Sequence, residues 1–274
     1  MAHKNKNNTS PYKTRIEKRH KDKSVDVLRS QTLAGKHKKP DTIYELEEAN
    51  DRLRDFFSNH DFGHIGHETR LQLAQFYRLL MVQQGKDNFT RLLSFKDIAI
   101  KHFIDCLIVD QMTKLTFPLM DMGTGPGFPG IPLKFLHPDQ QIILAEGVQK
   151  RVEFLKSVRT EMNLKKLDII GRNINPYFAY PVNGVITRAV EDISNTLGNV
   201  LTCLKLGGKV FLMKGPGVDP EIQPALDKFG EWFQLEKDHT YTLPKSENHR
   251  RLLVFKKIKP APTIDFDEEP WPED

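Results

Sequence analysis

The sequence predicts an α/β fold: a doubly wound, mainly parallel sheet with a small helical subdomain ahead of it. Three observations carry this. From Leu115 onward, short apolar runs alternate with longer amphipathic ones, as in strands joined by covering helices. Between the first strand and the first of those helices lies a ten-residue turn, Asp121–Gly130, holding four glycines. Ahead of Leu115 the apolar residues recur at helical spacing instead.

The chain of 274 residues is long enough for one sizeable core plus a small helical part. Its net charge of +5 is unevenly spread. Residues 1–40 carry 12 Lys/Arg against 3 Asp/Glu and few apolar residues, which predicts a basic arm disordered in isolation. Such an arm suits nucleic-acid phosphates, or serves only as a solubilising tail. Residues 260–274 form an acidic tail with six acids and no base, so the body between is close to neutral. No apolar run approaches the ~18 residues of a membrane span, and the N-terminus has no secretory pattern. Cys106 and Cys203 sit in apolar periodic segments and read as buried thiols of a reducing cytoplasm. A cytoplasmic monomer with no membrane partner is expected.

Residues 41–112 read as the helical subdomain. Thr42 and Glu45 have capping-box spacing, and Ile43, Leu46, Leu53 and Phe56 follow with helical period. The stretch 60–67, HDFGHIGH, reads as a loop before amphipathic runs at Leu71–Met81 and Ile98–Val109. Residues 113–259 form the main domain. Its expected strands are Phe117–Asp121, Gln141–Glu146, Leu167–Ile170, Gly184–Thr187 and Lys209–Lys214. Helices are expected at Ile131–Leu136, Gln149–Met162, Val190–Leu206 and Pro220–Phe229. Phe233–Thr242 and Arg250–Lys257 should close the sheet as an antiparallel edge pair.

In a doubly wound sheet, ligands bind at the carboxyl ends of the strands, where the Asp121–Gly130 turn falls. Asp121, Gly123, Gly125 and Gly127 are therefore read as a cofactor loop, the glycines allowing close backbone approach. Glycines alone are weak evidence, since dinucleotide enzymes use similar ones. Glu146 ends the second strand 23 residues past Gly123, placed to hold two ribose hydroxyls. Pro126 and Pro129 each remove an N–H that a pyrophosphate would want, which favours S-adenosylmethionine over a dinucleotide.

The run MGTGPGFPGIPL, with EGVQKRVEFLKSV (146–158), GVITRA (184–189) and FLMKG (211–215), resembles the bacterial small-subunit (16S) ribosomal RNA guanine-N7 methyltransferases, the glucose-inhibited division protein B family. The resemblance covers roughly residues 88 to 257. It implies a class I methyltransferase sheet of Rossmann-like type, S-adenosyl-L-methionine as cofactor, and ribosomal RNA or the small subunit as partner. Gly123 and Phe128 would line the cofactor pocket, with Asn173 and Ile174 flanking the adenine. Arg188 matches a family arginine at the cofactor and substrate end of the sheet, and Lys214 a family Lys-Gly. His102 and Asp105 match a His-x-x-Asp pair at the active-site mouth. Arg188, Lys214, His102 and Asp105 are thus the expected catalytic set, with Arg188 or Lys214 donating to guanine O6 or to phosphate. The chain departs from the family where His-x-x-Asp-Ser ends in Cys106, where Glu-Arg-His reads His249-Arg250-Arg251, and where Glu146 replaces Asp.

Guanine N7 offers a lone pair and no proton, so proximity and orientation suffice for methyl transfer. Amine methylation uses an Asn/Asp-Pro-Pro-aromatic run after the fourth strand; here that position reads Thr187-Arg188-Ala189. Asn175-Pro176-Tyr177-Phe178 precedes that strand and reads as a loop with an aromatic plug. Cys106 and Cys203 fall on apolar helix faces, poorly placed as nucleophiles for pyrimidine methylation. His60, His64 and His67 lie close together with Asp61 in a glycine-broken stretch, which reads as a polar loop, and no metal is expected. A paralogue acting on another RNA or a small molecule, and a non-catalytic RNA-binding protein of the same fold, stay open on the sequence alone.

Overall fold

The computed structural model describes residues 39–40, 42–188 and 191–262. The basic arm and the acidic tail therefore lie outside the described residues, apart from Lys39, Pro40 and residues 260–262.

Seven strands form one sheet in the order β3-β2-β1-β4-β5-β7-β6. They are β1 (Leu119–Met122), β2 (Ile142–Ala145), β3 (Leu167–Ile170), β4 (Val182–Arg188), β5 (Leu204–Lys214), β6 (Phe233–Thr242) and β7 (His249–Lys257). The first five are parallel, and β7 runs antiparallel between β5 and β6. This is a doubly wound sheet, with its order reversing between β1 and β4. β1 and β2 are buried at every position because helices cover both their faces. Side chains alternate between two cores. Leu119, Ile142, Leu144, Phe211 and Val254 face one, while Met120, Ile143, Val210, Leu212 and Leu253 face the other.

The helices are α1 (Leu46–Asn59), α2 (His67–Gln84), α3 (Phe95–Ile98), α4 (Asp105–Met112), α5 (Gly130–Leu136), α6 (Gln149–Glu161), α7 (Ile193–Val200) and α8 (Asp219–Phe229). A π-helical segment, Ala99–Ile104, joins α3 to α4 without a break. The first core takes side chains from α1 to α6, and α7 and α8 pack on the second. The N-terminal helices thus share their core with the sheet. Phe76 of α2 is the meeting point, fully buried among Phe103, Phe128, Phe135 and Phe154 at centroid distances of 5.3–6.5 Å.

Three expectations need correction. Helix α1 starts at Leu46 behind Glu45 and not at a Thr42 cap, and the Glu45 side chain is taken by a tertiary partner. The Thr42 carbonyl accepts the Tyr77 hydroxyl at 2.9 Å, and Glu45 pairs with Arg78 at 2.7 Å. The long helix expected over Val190–Leu206 starts, within the described residues, at Ile193 behind an Asp192 cap and ends at Val200. Cys203 therefore lies just ahead of β5 and not on a helix face, though it is buried as a free thiol like Cys106. The three histidines turn to separate partners: His60 to the Phe56 carbonyl, His64 to Gln111, and His67, the first residue of α2, to Asn50.

Phe76→Ala removes the ring that both halves share and should cost about 3–5 kcal/mol. Urea unfolding followed by far-UV dichroism should show one earlier transition; an unchanged midpoint would contradict the shared core.

Candidate active site at the carboxyl end of the sheet

The glycine loop leaves β1 at the point where the strand order reverses. Gly123, Gly125 and Gly127 have φ of 70°, 60° and 115°, the left-handed region that only glycine enters without strain. They differ in what they face. A Cβ on Gly127 would stand 2.4 Å from Ile131, so its missing side chain serves packing. A Cβ on Gly125 would meet nothing within 4 Å, so this is the open face of the loop. The Gly123 and Thr124 amides are spent on the Ala145 carbonyl, which ties the loop to the end of β2.

Asp121 holds the loop from behind. It is fully buried, and its Oδ2 accepts the Thr124 hydroxyl at 2.5 Å and the Gly130 amide at 2.7 Å. Its Oδ1 has no hydrogen-bond partner among the described residues, and burial pushes the carboxyl up to about 7. Asp121, expected as a cofactor contact, anchors the loop through its Oδ2.

Glu146 ends β2 almost fully buried, its Oε1 accepting the Val148 amide at 2.8 Å and its Oε2 3.6 Å from Arg151. A Cβ on the neighbouring Gly147 would overlap the Asn173 side-chain amide, so Asn173 lies directly against the Glu146–Gly147 turn. Ile174 is buried in the second core beside it. The donor set is a carboxylate with hydroxyl-accepting oxygens, an amide, an apolar wall and an open glycine face. It fits an adenosine carrying an amino-acid chain, as S-adenosylmethionine does, better than a diphosphate, since Pro126 and Pro129 offer no N–H.

Beside the loop, a cavity of about 360 Å³ opens at the carboxyl ends of β4 and β5. Its lining includes His102, Asp105, Arg188, Lys214 and Arg250, with Leu92 and Met213 as apolar walls. A larger cavity, of about 580 Å³, lies at the opposite end of the sheet around Phe117, His137 and Gln140, away from these groups.

Arg188, from the end of β4, points into the helical segment. Its Nη2 donates to His102 Nδ1 at 2.8 Å, and its Nη1 lies 3.2 Å from the Lys101 carbonyl and 3.5 Å from Asp105 Oδ2. An arginine only donates, so His102 Nδ1 must accept, and the ring proton is assigned to Nε2. That proton goes to the Thr90 hydroxyl at 3.0 Å. Thr90 is itself fixed by Gln84, whose buried Oε1 takes the Phe89 and Thr90 amides. Burial, and then the Arg188 charge, hold His102 well below the usual imidazole range, so the ring is neutral. It lies parallel to Phe128 with centroids 4.2 Å apart.

Asp105 is nearly as buried. It faces Arg188 through Oδ2, and Arg250 and the Tyr241 hydroxyl through Oδ1, each of these at 3.4 Å. Burial raises its carboxyl, and the two guanidinium groups pull it back down. Burial pushes the Cys106 and Tyr241 protons further out of reach. Lys214 is bound to Glu221 at 2.8 Å and to the Glu191 carbonyl.

The structure thus brings His102, Asp105, Arg188 and Lys214 to one cavity. In it Arg188 donates to His102 and the Lys101 carbonyl, Lys214 is ion-paired with Glu221, and Phe128 is a buried ring stacked on His102. Sequence reasoning passed over Thr90, Gln84 and Tyr241. Arg250 stands at the arginine position of the family's Glu-Arg-His, in a run whose other two residues, His249 and Arg251, depart from it.

An acid raised by burial contributes stability while protonated and loses it as the buried charge forms. Relative to Asp121→Asn, the wild type should therefore lose stability as pH rises from about 4 to 7 and run level above that. Denaturant midpoints across this range test it; parallel profiles would contradict a buried, poorly solvated Asp121.

The family model GidB, described as rRNA small subunit methyltransferase G, matches residues 69–253. Ribosomal RNA small subunit methyltransferase G 2 of Bdellovibrio bacteriovorus is 62% identical over 85% of this chain and 92% of its own. Ribosomal RNA small subunit methyltransferase G of Carboxydothermus hydrogenoformans is 34% identical over 77% of this chain and 92% of its own. A methyltransferase of known structure from Pyrococcus furiosus aligns with 57% of this chain and 83% of its own, at a TM-score of 0.48 and 15% identity. With its match covering well over half the sequence, the chain belongs to the GidB family, rRNA small subunit methyltransferase G.

Proposed function

We propose that this chain is an S-adenosylmethionine-dependent enzyme that methylates guanine N7 in small-subunit (16S) ribosomal RNA. The observation that carries this reading is a cavity beside the glycine loop in which His102, Asp105 and Lys214 are each held by neighbouring groups. Gly123 and Gly125, Glu146, Asn173 and Ile174 would hold the cofactor. When bound, S-adenosylmethionine supplies an electrophilic methyl group.

N7 needs no base, and among the described residues lining the cavity the candidate bases are already engaged. The His102 lone pair is held by Arg188, Asp105 is shared between two arginines, and the Cys106 thiol stays protonated. What these residues do is position and exclude water. An N7-methylated guanine carries positive charge, so unpaired cations around it would oppose the reaction. Asp105, shared between Arg188 and Arg250, offsets part of their charge, and Glu221 pairs with Lys214.

The partner in this reading is ribosomal RNA, either naked or within the small subunit. The arm over residues 1–40 supplies phosphate contacts whose strength falls with salt. The reading implies a cytoplasmic monomer. Among the described residues, no helix is long and apolar enough to cross a membrane.

Two measurements test the reading. Incubation with labelled S-adenosylmethionine and small subunits lacking the modification should give 7-methylguanosine in nucleoside mass spectrometry. Another modified nucleoside, or none despite cofactor binding, would overturn the substrate. Gly125→Val puts a branched side chain on the open face at φ 60°. At about 1–2 kcal/mol for the conformation alone, it should weaken cofactor affinity about tenfold or more in calorimetry. Unchanged affinity would remove this loop from the cofactor site.

A further inference from the structure

Four cations line the cavity: Lys101, Arg188, Lys214 and Arg250. Three of them are already engaged. Arg188 is turned inward onto His102, the Lys101 carbonyl and Asp105. Lys214 is spent on Glu221 and the Glu191 carbonyl. Lys101 pairs with Asp97 at 2.7 Å on the helix surface.

Arg250, from β7, differs. Its Nε faces Asp105 Oδ1 at 3.4 Å and its Nη1 donates to the His249 carbonyl at 3.0 Å. Its Nη2 has no partner among the described residues, and its side chain is 26% exposed. Asp105 holds one edge of the guanidinium, and the Tyr241 hydroxyl on the same carboxylate oxygen supports that grip. The remaining edge is a fixed donor in a cavity whose walls include Leu92 and Met213. Apolar walls suit a planar base better than a phosphate, which would have to shed its hydration there.

We propose that Arg250 is the residue that recognises the target base, its Nη2 donating to the O6 of guanine, with Asp105 and Tyr241 as positioning residues. This rests on the guanine-N7 reading above. O6 adjoins N7 on the same edge of the base, so one donor to O6 orients N7 and leaves its lone pair free. The same donor selects against adenine, whose exocyclic amine would meet it donor to donor.

The test is a cycle of enzyme and RNA changes. Small subunits are reconstituted with either guanosine or 2-aminopurine riboside, which lacks O6, at the methylated position. Wild type, Arg250→Gln and Arg250→Lys are then compared by kcat/KM, with cofactor affinity measured separately. On guanosine, Arg250→Gln should lose about tenfold or more while cofactor affinity holds. On 2-aminopurine, the wild type should fall by a similar factor and Arg250→Gln should lose little more. Arg250→Lys keeps the charge against Asp105 and guards against a variant that folds poorly. The comparison between RNAs is made within one enzyme preparation, so the folded fraction cancels.

If Arg250→Gln costs the same factor on both RNAs, the contact is not to O6 and the proposal fails; a phosphate contact would give that result with a shallower salt dependence. If the wild type makes no 7-methylguanosine on the guanosine subunit, the guanine-N7 reading itself fails, which the first arm reveals separately.

Discussion

A partly buried guanidinium needs acceptors where water does not reach it, and that demand from Arg188 organises the functional end of this protein. The sheet alone cannot meet it, because strand carbonyls at the end of β4 point into the ladder. Acceptors come from the helical run 83 to 87 residues earlier: the Lys101 carbonyl, His102 and Asp105. The π-helical segment makes them available. In it the Asp105 amide reaches back to the Ile100 carbonyl, and Lys101 to Asp105 present one clustered set of acceptors toward the sheet. Remove this junction and the cavity loses a wall, the tautomer of His102 is no longer imposed, and Asp105 loses one of its two balancing cations.

Much of the fold was legible in the sequence because it follows from hydrophobic period. Leu167–Ile170 and Phe233–Thr242 form strands at the expected residues, and the glycine turn lies where a strand meets a helix. The misreadings arise where tertiary contacts override local pattern. Thr42 and Glu45 look like a cap, but Tyr77 and Arg78 claim them from another helix. Apolar residues around Cys203 continue a helical period, yet Leu204 already belongs to β5, whose ladder with β4 ends the helix early.

The site was legible as a set of residues and not as a set of tasks. Arg188, Lys214, His102 and Asp105 were identified by family resemblance, and they do converge on one cavity. Pairing across 80 or more residues leaves no trace in spacing, so nothing announced that Arg188 faces inward or that Asp121 holds its loop from behind. Thr90 and Gln84 are ordinary polar residues in sequence. Only three dimensions show that one fixes the His102 proton and the other fixes Thr90. Arg250 keeps the arginine of a run whose two flanking residues depart from the family, and its value depends on which neighbouring cations are already paired.

Charge balance joins the architecture to the chemistry. A methyl acceptor that must first lose a proton needs a base with a free lone pair near the transferring group. Here each candidate base is tied up, and the ties are the same contacts that hold the cavity together. Asp105 cannot both neutralise two arginines and take a proton, and His102 cannot accept from Arg188 and from a substrate through one nitrogen. A site built this way is suited to an acceptor that is already nucleophilic and leaves positively charged. Among nucleobase positions, guanine N7 combines an exposed lone pair, no proton to lose, and a neighbouring oxygen by which it can be held.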